Sequence, residues 1–286
     1  MILVVDSGST KTDWIALSED GKQLFQTQTL GLNPQILSQE LIVKRITENS
    51  ELYASREDVT RLYFYGAGCG VEKPSVYIAA IFKNFFSKAS DIVVKGDSYA
   101  AVYATAAMET SSIVCILGTG SNCSYFNGKN IIQKIISLGY ILMDDASGNY
   151  YGKALLRDYK FHKMPATIAH KFENEYDLDS ETIKHHIYKE PNPNAYLATF
   201  ARFMVENKEE TYMQNLIRKG LREFIENHVL QFNDAREIPI HFVGSIAFYL
   251  KEELSEVFKE KELLLGNIVK RPIEGLVEYH KRILLN

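Results

Sequence analysis

The sequence predicts an α/β protein built from two similar domains, and three observations carry that prediction. The chain opens with an apolar strand that runs into a Gly/Ser/Thr/Lys turn, and the same plan returns about one domain length later. Strand-like and helical patterns alternate through the first third. At 286 residues the chain is also long for a single core.

The first strand, Ile2–Val5, ends at Asp6 and turns through Gly8-Ser9-Thr10-Lys11 into a second strand near 12–18. Glu19-Asp20-Gly21 makes the next tight turn, and a third strand covers 22–30. Helical patterns follow near 35–49, 72–89 and 98–108, with strands near 61–66 and 91–95 between them. The second start is Ile113–Leu117, followed by Gly118-Thr119-Gly120-Ser121-Asn122, a strand from Cys123 to Phe126 and the strong turn pair Asn127-Gly128. From about 147 to 231 the pattern is mostly helical, punctuated at Pro165, around Asp177–Ser180 and at Pro191-Asn192-Pro193. Ala195–Asn207 and Glu209–Asn227 read as long amphipathic helices. A strand at Pro239–Val243, a helix from Ser245 to about Lys259, a strand near Leu263–Val269 and a last helix from Pro272 complete the chain. The expected domains are 1–110 and 111–286. The second carries a helical insert at about 150–232, and the helix at about 273–286 is free to pack on the first.

Composition excludes several function classes. With 46% hydrophobic and 24% charged residues, the chain has an ordinary globular balance. A net charge of −4, with Lys and Arg scattered among acids, gives no footprint for nucleic acid or an acidic membrane. No apolar run approaches the roughly 18 residues that span a bilayer, and the apolar start stops at Asp6 without a basic flank, unlike a signal peptide. Three cysteines, an odd number in apolar strands, favour reduced thiols. The expectation is a cytoplasmic protein. Seven histidines show no metal-ligand spacing and are expected in solvated positions.

The two glycine-rich loops carry the chemistry. Small residues let backbone N–H groups close around phosphate oxygens, while hydroxyls and Lys11 add donors. Asp6 can hold Mg²⁺ through water, because magnesium sheds its hydration reluctantly. A Walker loop is excluded, since Thr10 rather than Gly precedes Lys11 and a strand follows. Two such loops in matching positions are suited to grip a polyphosphate between two domains. Asp97 stands after a strand and Gly96 and opens a helix, a position that suits either a helix cap or a general base. Asn33, in Gly31-Leu32-Asn33-Pro34, is a turn residue by position. Asp144-Asp145-Ala146-Ser147-Gly148 suits a turn into a helix or the binding of sugar hydroxyls. Gly244-Ser245 follows a strand as a loop on which adenine or ribose could rest.

These residues together resemble the sugar kinase/Hsp70/actin superfamily, and within it the N-acetylglucosamine kinase-like branch grouped with the BadF/BadG/BcrA/BcrD ATPases. The resemblance rests on Asp6-x-Gly8-x-Thr10-Lys11-Thr12, Gly-Leu-Asn33, Gly96-Asp97, Gly118-Thr119-Gly120-Ser121-Asn122-Cys123, Gly139 with Asp144-Asp145, and Val243-Gly244-Ser245. It covers essentially the whole chain. It implies two duplicated ribonuclease H-like (actin-like ATPase) domains with a central cleft and a helical insert in the second.

The resemblance further implies an ATP-dependent kinase for an amino sugar, with N-acetylglucosamine as the favoured acceptor, Mg²⁺ as cofactor and a homodimer. In it Asp97 is the base that accepts the hydroxyl proton, while Asn33, Gly120, Asn122 and Asp144 hold the sugar. Gly8, Ser9, Thr10, Lys11, Thr12, Gly118, Thr119, Gly244 and Ser245 contact ATP, and Asp6 stands near magnesium. The chain departs from the family at Ser137-Leu138-Gly139, where a Gly-Trp-Gly is usual, and at Met143-Asp144-Asp145, where Gly-Asp-Glu is usual. That departure bears on the choice of sugar more than on phosphoryl transfer. Two other functions fit the same fold: an ATP-hydrolysing activator of a dehydratase or reductase with an iron–sulfur cluster, and a sugar or nucleotide sensor without turnover.

Overall fold

The computed structural model describes residues 1–8, 10–106 and 109–285. The chain forms two units, Met1–Met108 with Arg271–Asn286, and Glu109–Lys270.

In the first unit, β1 (Ile2–Ser7), β2 (Lys11–Leu17) and β3 (Gln23–Leu30) form an antiparallel meander. Helices α1 (Gln39–Thr47) and α2 (Ser50–Ser55) lead to β4 (Arg61–Gly66), α3 (Glu72–Phe85), β5 (Asp91–Gly96) and α4 (Asp97–Thr105). The sheet order is β3-β2-β1-β4-β5, with β4 parallel to both β1 and β5. β1 is apolar from Ile2 to Val5 because both its faces are covered there. Leu3 and Val5 join Trp14, Phe64 and Phe82 on one side, while Ile2 and Val4 join Ile15 and Leu17 on the other. β3 lies at the edge, and its alternating polar residues stay exposed.

Helix α1 starts at Gln39, later than the spacing predicts. The side chain of Asn33 takes the N–H of Gln35, and its carbonyl takes those of Ile36 and Leu37. This local turn competes with the helix until Ser38 caps it. The expected end of α4 at 107–108 lies outside the described residues.

The second unit repeats the plan. β6 (Ser111–Leu117), β7 (Ser121–Asn127) and the two-residue β8 (Ile131–Ile132) form the meander. Then come α5 (Gly148–Lys160), α6 (Ala166–Glu175), α7 (Ser180–Tyr188), α8 (Pro193–Thr199), α9 (Ala201–Glu206) and α10 (Thr211–Asn227). β9 (Ile240–Val243), α11 (Ser245–Tyr249), α12 (Lys251–Glu260) and β10 (Leu265–Val269) follow. The sheet order β10-β9-β6-β7-β8 is the first sheet read in reverse, and β6, β7, β8, β9 and β10 pair as β1 to β5 do. The one helix expected over Ala195–Asn207 is two, because the chain tightens to i→i+3 bonds at Phe200 and Phe203. The helix expected from Ser245 likewise breaks at Leu250, whose backbone leaves helical geometry.

Helix α13 (Pro272–Leu285) returns to the first unit, so residues from Arg271 onward belong there and not to the second. Ile273, Leu276 and Val277 close the face formed by Ile2, Val4, Ile15 and Leu17. His280 is buried, hydrogen-bonded to Tyr65 at 2.9 Å and stacked on Tyr63 at 4.3 Å. This overturns the expectation of seven solvated histidines. His228 and His241 are buried as well, the first stacked on Phe224 and the second accepting the N–H of Asn267. Among the described residues no helix is long and apolar enough to cross a membrane.

Candidate active site

In the first unit the register sets the site. Ser7 pairs with Gly66, and Gly66 pairs with Gly96, so three strand ends lie side by side. Asp6, the Gly66–Gly70 loop and Asp97 thereby share the carboxyl edge of one sheet, where α/β proteins bind ligands. Gly70 approaches Gly96 closely, and Asn33 packs on Gly68, so the loop after β3 reaches the same edge. Sequence reasoning missed Gly66–Gly70. Its three glycines in five residues after a strand were the available signal.

The β1–β2 hairpin is pinned from within. Ser7 and Thr12 hydroxyls lie 2.7 Å apart, Thr12 also donates to the Leu30 carbonyl, and Leu32 donates its N–H to Ser7. Thr12 is therefore engaged in the interior, where it fixes the loop. The loop itself is closed by the N–H of Gly8 donating to the Lys11 carbonyl at 2.9 Å. Thr10 is exposed, and Ser9 lies outside the described residues. Lys11 pairs with buried Asp13 at 2.9 Å, and Gln28 donates to the same carboxylate at 2.6 Å. Asp13 faces Asp6 across the ladder.

This crowding of acids shows in the electrostatics. Burial first, then the charges of Asp13 and Asp97, push Asp6 up to about 8, with Lys11 pulling the other way. Asp97 is also raised, chiefly by burial, against the N–H groups of Ser98 and of its own residue. It is the first residue of α4, and the cap position belongs to Gly96. Its charge is thus favoured by the helix end while its desolvation opposes it. Burial and the charge of Asp97 push the Cys69 thiol up to about 12, so Cys69 is not poised as a nucleophile.

Among the described residues no three acids, histidines or cysteines converge into a metal cage. A cation here would be held by one or two carboxylates together with water and phosphate oxygens, which is how magnesium is usually bound. The negative field around Asp6 fits such an ion.

In the second unit the loop after β6 folds onto the start of α5. Gly118 donates to Gly120 at 3.0 Å, Gly148 donates to Gly118 at 2.7 Å, and Asn149 donates to Thr119 at 3.0 Å. Asp144 is buried with a left-handed backbone (φ 69°) and presses on Gly120, where a Cβ would lie 2.7 Å from its Oδ2. Asn149 secures Asp144 and is the second residue that sequence reasoning missed. Ser147 caps α5, so the acidic turn does lead into a helix. Asp145 points elsewhere: its carboxylate accepts from Asn227 at 2.9 Å and lies 3.5 Å from His228, whose bond holds its pKa low.

Asn122 sits half-buried on β7 and accepts from Gln133 at 3.3 Å. Gly244 lies at the end of β9 with φ 122°, so close to the Leu117 carbonyl that a side chain would overlap it. This contact puts the Gly244-Ser245 turn beside the Gly118 loop, with Ser245 exposed. Each unit therefore gathers its described candidate residues, apart from the inward-turned Thr12, near the edge of its own sheet.

No family model and no curated protein matches the chain. Solved structures do. A ROK-family glucokinase from Streptomyces griseus, solved with glucose and AMPPNP, is 13% identical with a TM-score of 0.64, covering 97% of both chains. A proposed N-acetylglucosamine kinase from Chromobacterium violaceum is 14% identical with a TM-score of 0.74, covering 97% of this chain and 98% of the other. These two support the fold alone. A proposed N-acetylglucosamine kinase from Porphyromonas gingivalis is 35% identical with a TM-score of 0.91, covering 99% of each chain. With that identity over essentially its full length, the chain belongs to the N-acetylglucosamine kinase-like branch of the actin-like ATPase superfamily.

Proposed function

We propose that the protein is an ATP-dependent sugar kinase that transfers the γ-phosphoryl group of ATP to the 6-hydroxyl of N-acetylglucosamine. The observation that carries this reading is the carboxyl edge of the first sheet. There the register sets Asp97 at the strand end beside Gly66, and the field of Asp97 reaches both Asp6 and Cys69. Asp97 accepts the hydroxyl proton as the oxygen attacks phosphorus, the bond to the β-phosphate oxygen breaks, and ADP leaves. Its raised pKa brings it nearer neutrality, which suits a general base.

The transition state is loose and anionic, so the remaining residues position groups and offset charge. Gly8, Thr10, Lys11, Gly118 and Thr119 supply phosphate contacts. Gly244 and Ser245 serve the nucleoside. Asp144, held against Gly120, accepts sugar hydroxyls, with Asn33 and Asn122 completing the set. Mg²⁺, held near Asp6 through water, supplies neutralisation of phosphate charge. We place the enzyme in the cytoplasm as a homodimer, acting on small molecules without nucleic acid or membrane partners.

All three cysteines are buried, which gives the iron–sulfur activator reading no thiols at a surface. The test is ADP release with Mg-ATP against hexoses, amino sugars and N-acetylated amino sugars. Turnover that requires N-acetylglucosamine supports the proposal, and a different preferred sugar corrects the acceptor. ADP release indifferent to every sugar points to the activator, and bound ATP without turnover to the sensor.

A further inference from the structure

The helices of the second unit frame a pocket that phosphoryl transfer does not use. Its volume is about 310 Å³, at the lower end of the roughly 300–1,000 Å³ typical of ligand pockets. α5 turns Lys153, Leu156, Arg157 and Lys160 toward it, and α7 turns Ser180, Ile183, Lys184 and Ile187. Both sets follow i, i+3, i+4, i+7, the spacing of one helix face. Leu156 and Leu197 are buried in its floor, while Ile183 and Ile187 are only half covered. α7 buries none of its residues completely, so its apolar face is left partly open.

The rim is cationic and no lining residue is acidic, in a protein whose net charge is −4. Lys184 is paired with Glu181 at 2.7 Å, and Lys153 donates to the Tyr140 carbonyl with Asp144 and Asp145 nearby. The other two lack a carboxylate partner among the described residues. Lys160 donates to the Leu178 carbonyl and the Ser180 hydroxyl, and the Arg157 guanidinium rests 5.7 Å from the Phe161 ring. Basic residues in the last turn of α5 suit its dipole. The dipole does not account for the uncovered isoleucines opposite them on α7.

We propose that this pocket binds an organic anion with an apolar body, of the medium-chain carboxylate class, with its chain against Leu156, Ile183 and Ile187 and its carboxylate at Arg157 and Lys160. Charge complementarity selects this occupant. An uncharged chain would leave the two cations unanswered, and a cationic one would be repelled.

The test is calorimetric titration of the full-length protein with decanoate below its micelle concentration, with decan-1-ol as the neutral control. Decanoate should bind at one site, more tightly than the alcohol, and more weakly as salt is raised. The Arg157→Gln/Lys160→Gln variant should lose roughly tenfold in affinity, the size expected of two exposed charge contacts. Ile187→Asn should weaken binding with both cations intact. The proposal falls if decanoate does not bind, if the alcohol binds equally, or if the charge variant binds like the wild type. Arg157 and Lys160 are exposed, so the charge variant decides the matter even if Ile187→Asn fails to fold.

Discussion

One amide group of Asn149 holds Asp144 in place: its Nδ2 lies 2.9 Å from the Asp144 carboxylate and 2.7 Å from the Thr119 carbonyl, donating to both. The opposite amide orientation would set Oδ1 against two acceptors, so the direction of the side chain is fixed by its partners. The same contact ties a proposed sugar ligand to a proposed phosphate loop.

Asn149→Ala should therefore lower kcat/KM for the sugar by about tenfold or more, the loss expected when a charged group loses a hydrogen bond. The KM for ATP should change far less. Asn149→Asp should do more damage at neutral pH, since it sets a second carboxylate beside Asp144. Steady-state kinetics with each substrate varied in turn measure the split. Unchanged sugar kinetics in Asn149→Ala would remove it from any positioning role.

Asp97→Asn should leave ATP binding intact and lower kcat by about 10²–10⁴-fold. A base works only when deprotonated, and the pKa of Asp97 is raised by burial. The acid limb of kcat/KM should thus lie above the usual carboxylate range and vanish in the variant. A pH–rate profile that keeps this limb in Asp97→Asn would assign it to another group.

Asp6 offers a test by thermal unfolding. Its folded pKa of about 8 stands above its unfolded value, so the protonated form is favoured by folding. Its stabilising contribution is present at low pH and is lost as pH rises through 8. The metal-free protein should lose stability from the weakly acidic range to pH 8, and Asp6→Asn should flatten that decline. Mg-ATP should restore the wild type at pH 8 and the variant much less. Equal pH profiles with and without the substitution would contradict the assignment.

His280 gives the opposite slope. Burial and nearby Lys95 push it down to about 4, below its unfolded value near 6.5. Its contribution is present above pH 6.5 and is lost as the pH falls through 4, with a maximum of about 3 kcal/mol. His280→Phe should remove this dependence while filling the space against Tyr63. Melting curves between pH 7 and 4.5 test it, and an unchanged acid slope in the variant would refute it.

How legible these features were depended on how local their causes are. The β1–β2 loop, the Gly118 loop and Asp97 announce themselves through short-range pattern, an apolar run stopped by small residues or an acid. The duplicated sheet was readable for the same reason, since each hairpin turn lies within its own segment. The pairing of Lys11 with Asp13, by contrast, is an ordinary strand doublet until Gln28 of the next strand and Asp6 of the previous one surround it. Asn149 gains its role only when a loop 30 residues earlier folds onto it. His280 is buried by Tyr65, 215 residues away, and no local spacing could show that. The late start of α1 was local after all: Asn33 takes a backbone bond that the helix would need.

The return of α13 has a consequence for the order in which the protein assembles during synthesis. The second unit is one unbroken stretch, Glu109–Lys270, whereas the first needs Arg271–Asn286 to cover Ile2, Val4, Ile15 and Leu17. Domains usually fold as they leave the ribosome, amino-terminal unit first. Here the order differs: the earlier unit has only Tyr99, Ala100 and Tyr103 of α4 over that face of its sheet until the later unit has been translated and α13 can add Ile273, Leu276 and Val277. A ribosome that stalls within the second unit therefore leaves a complete five-stranded sheet with one apolar face only partly covered, and chaperone demand should peak in that interval.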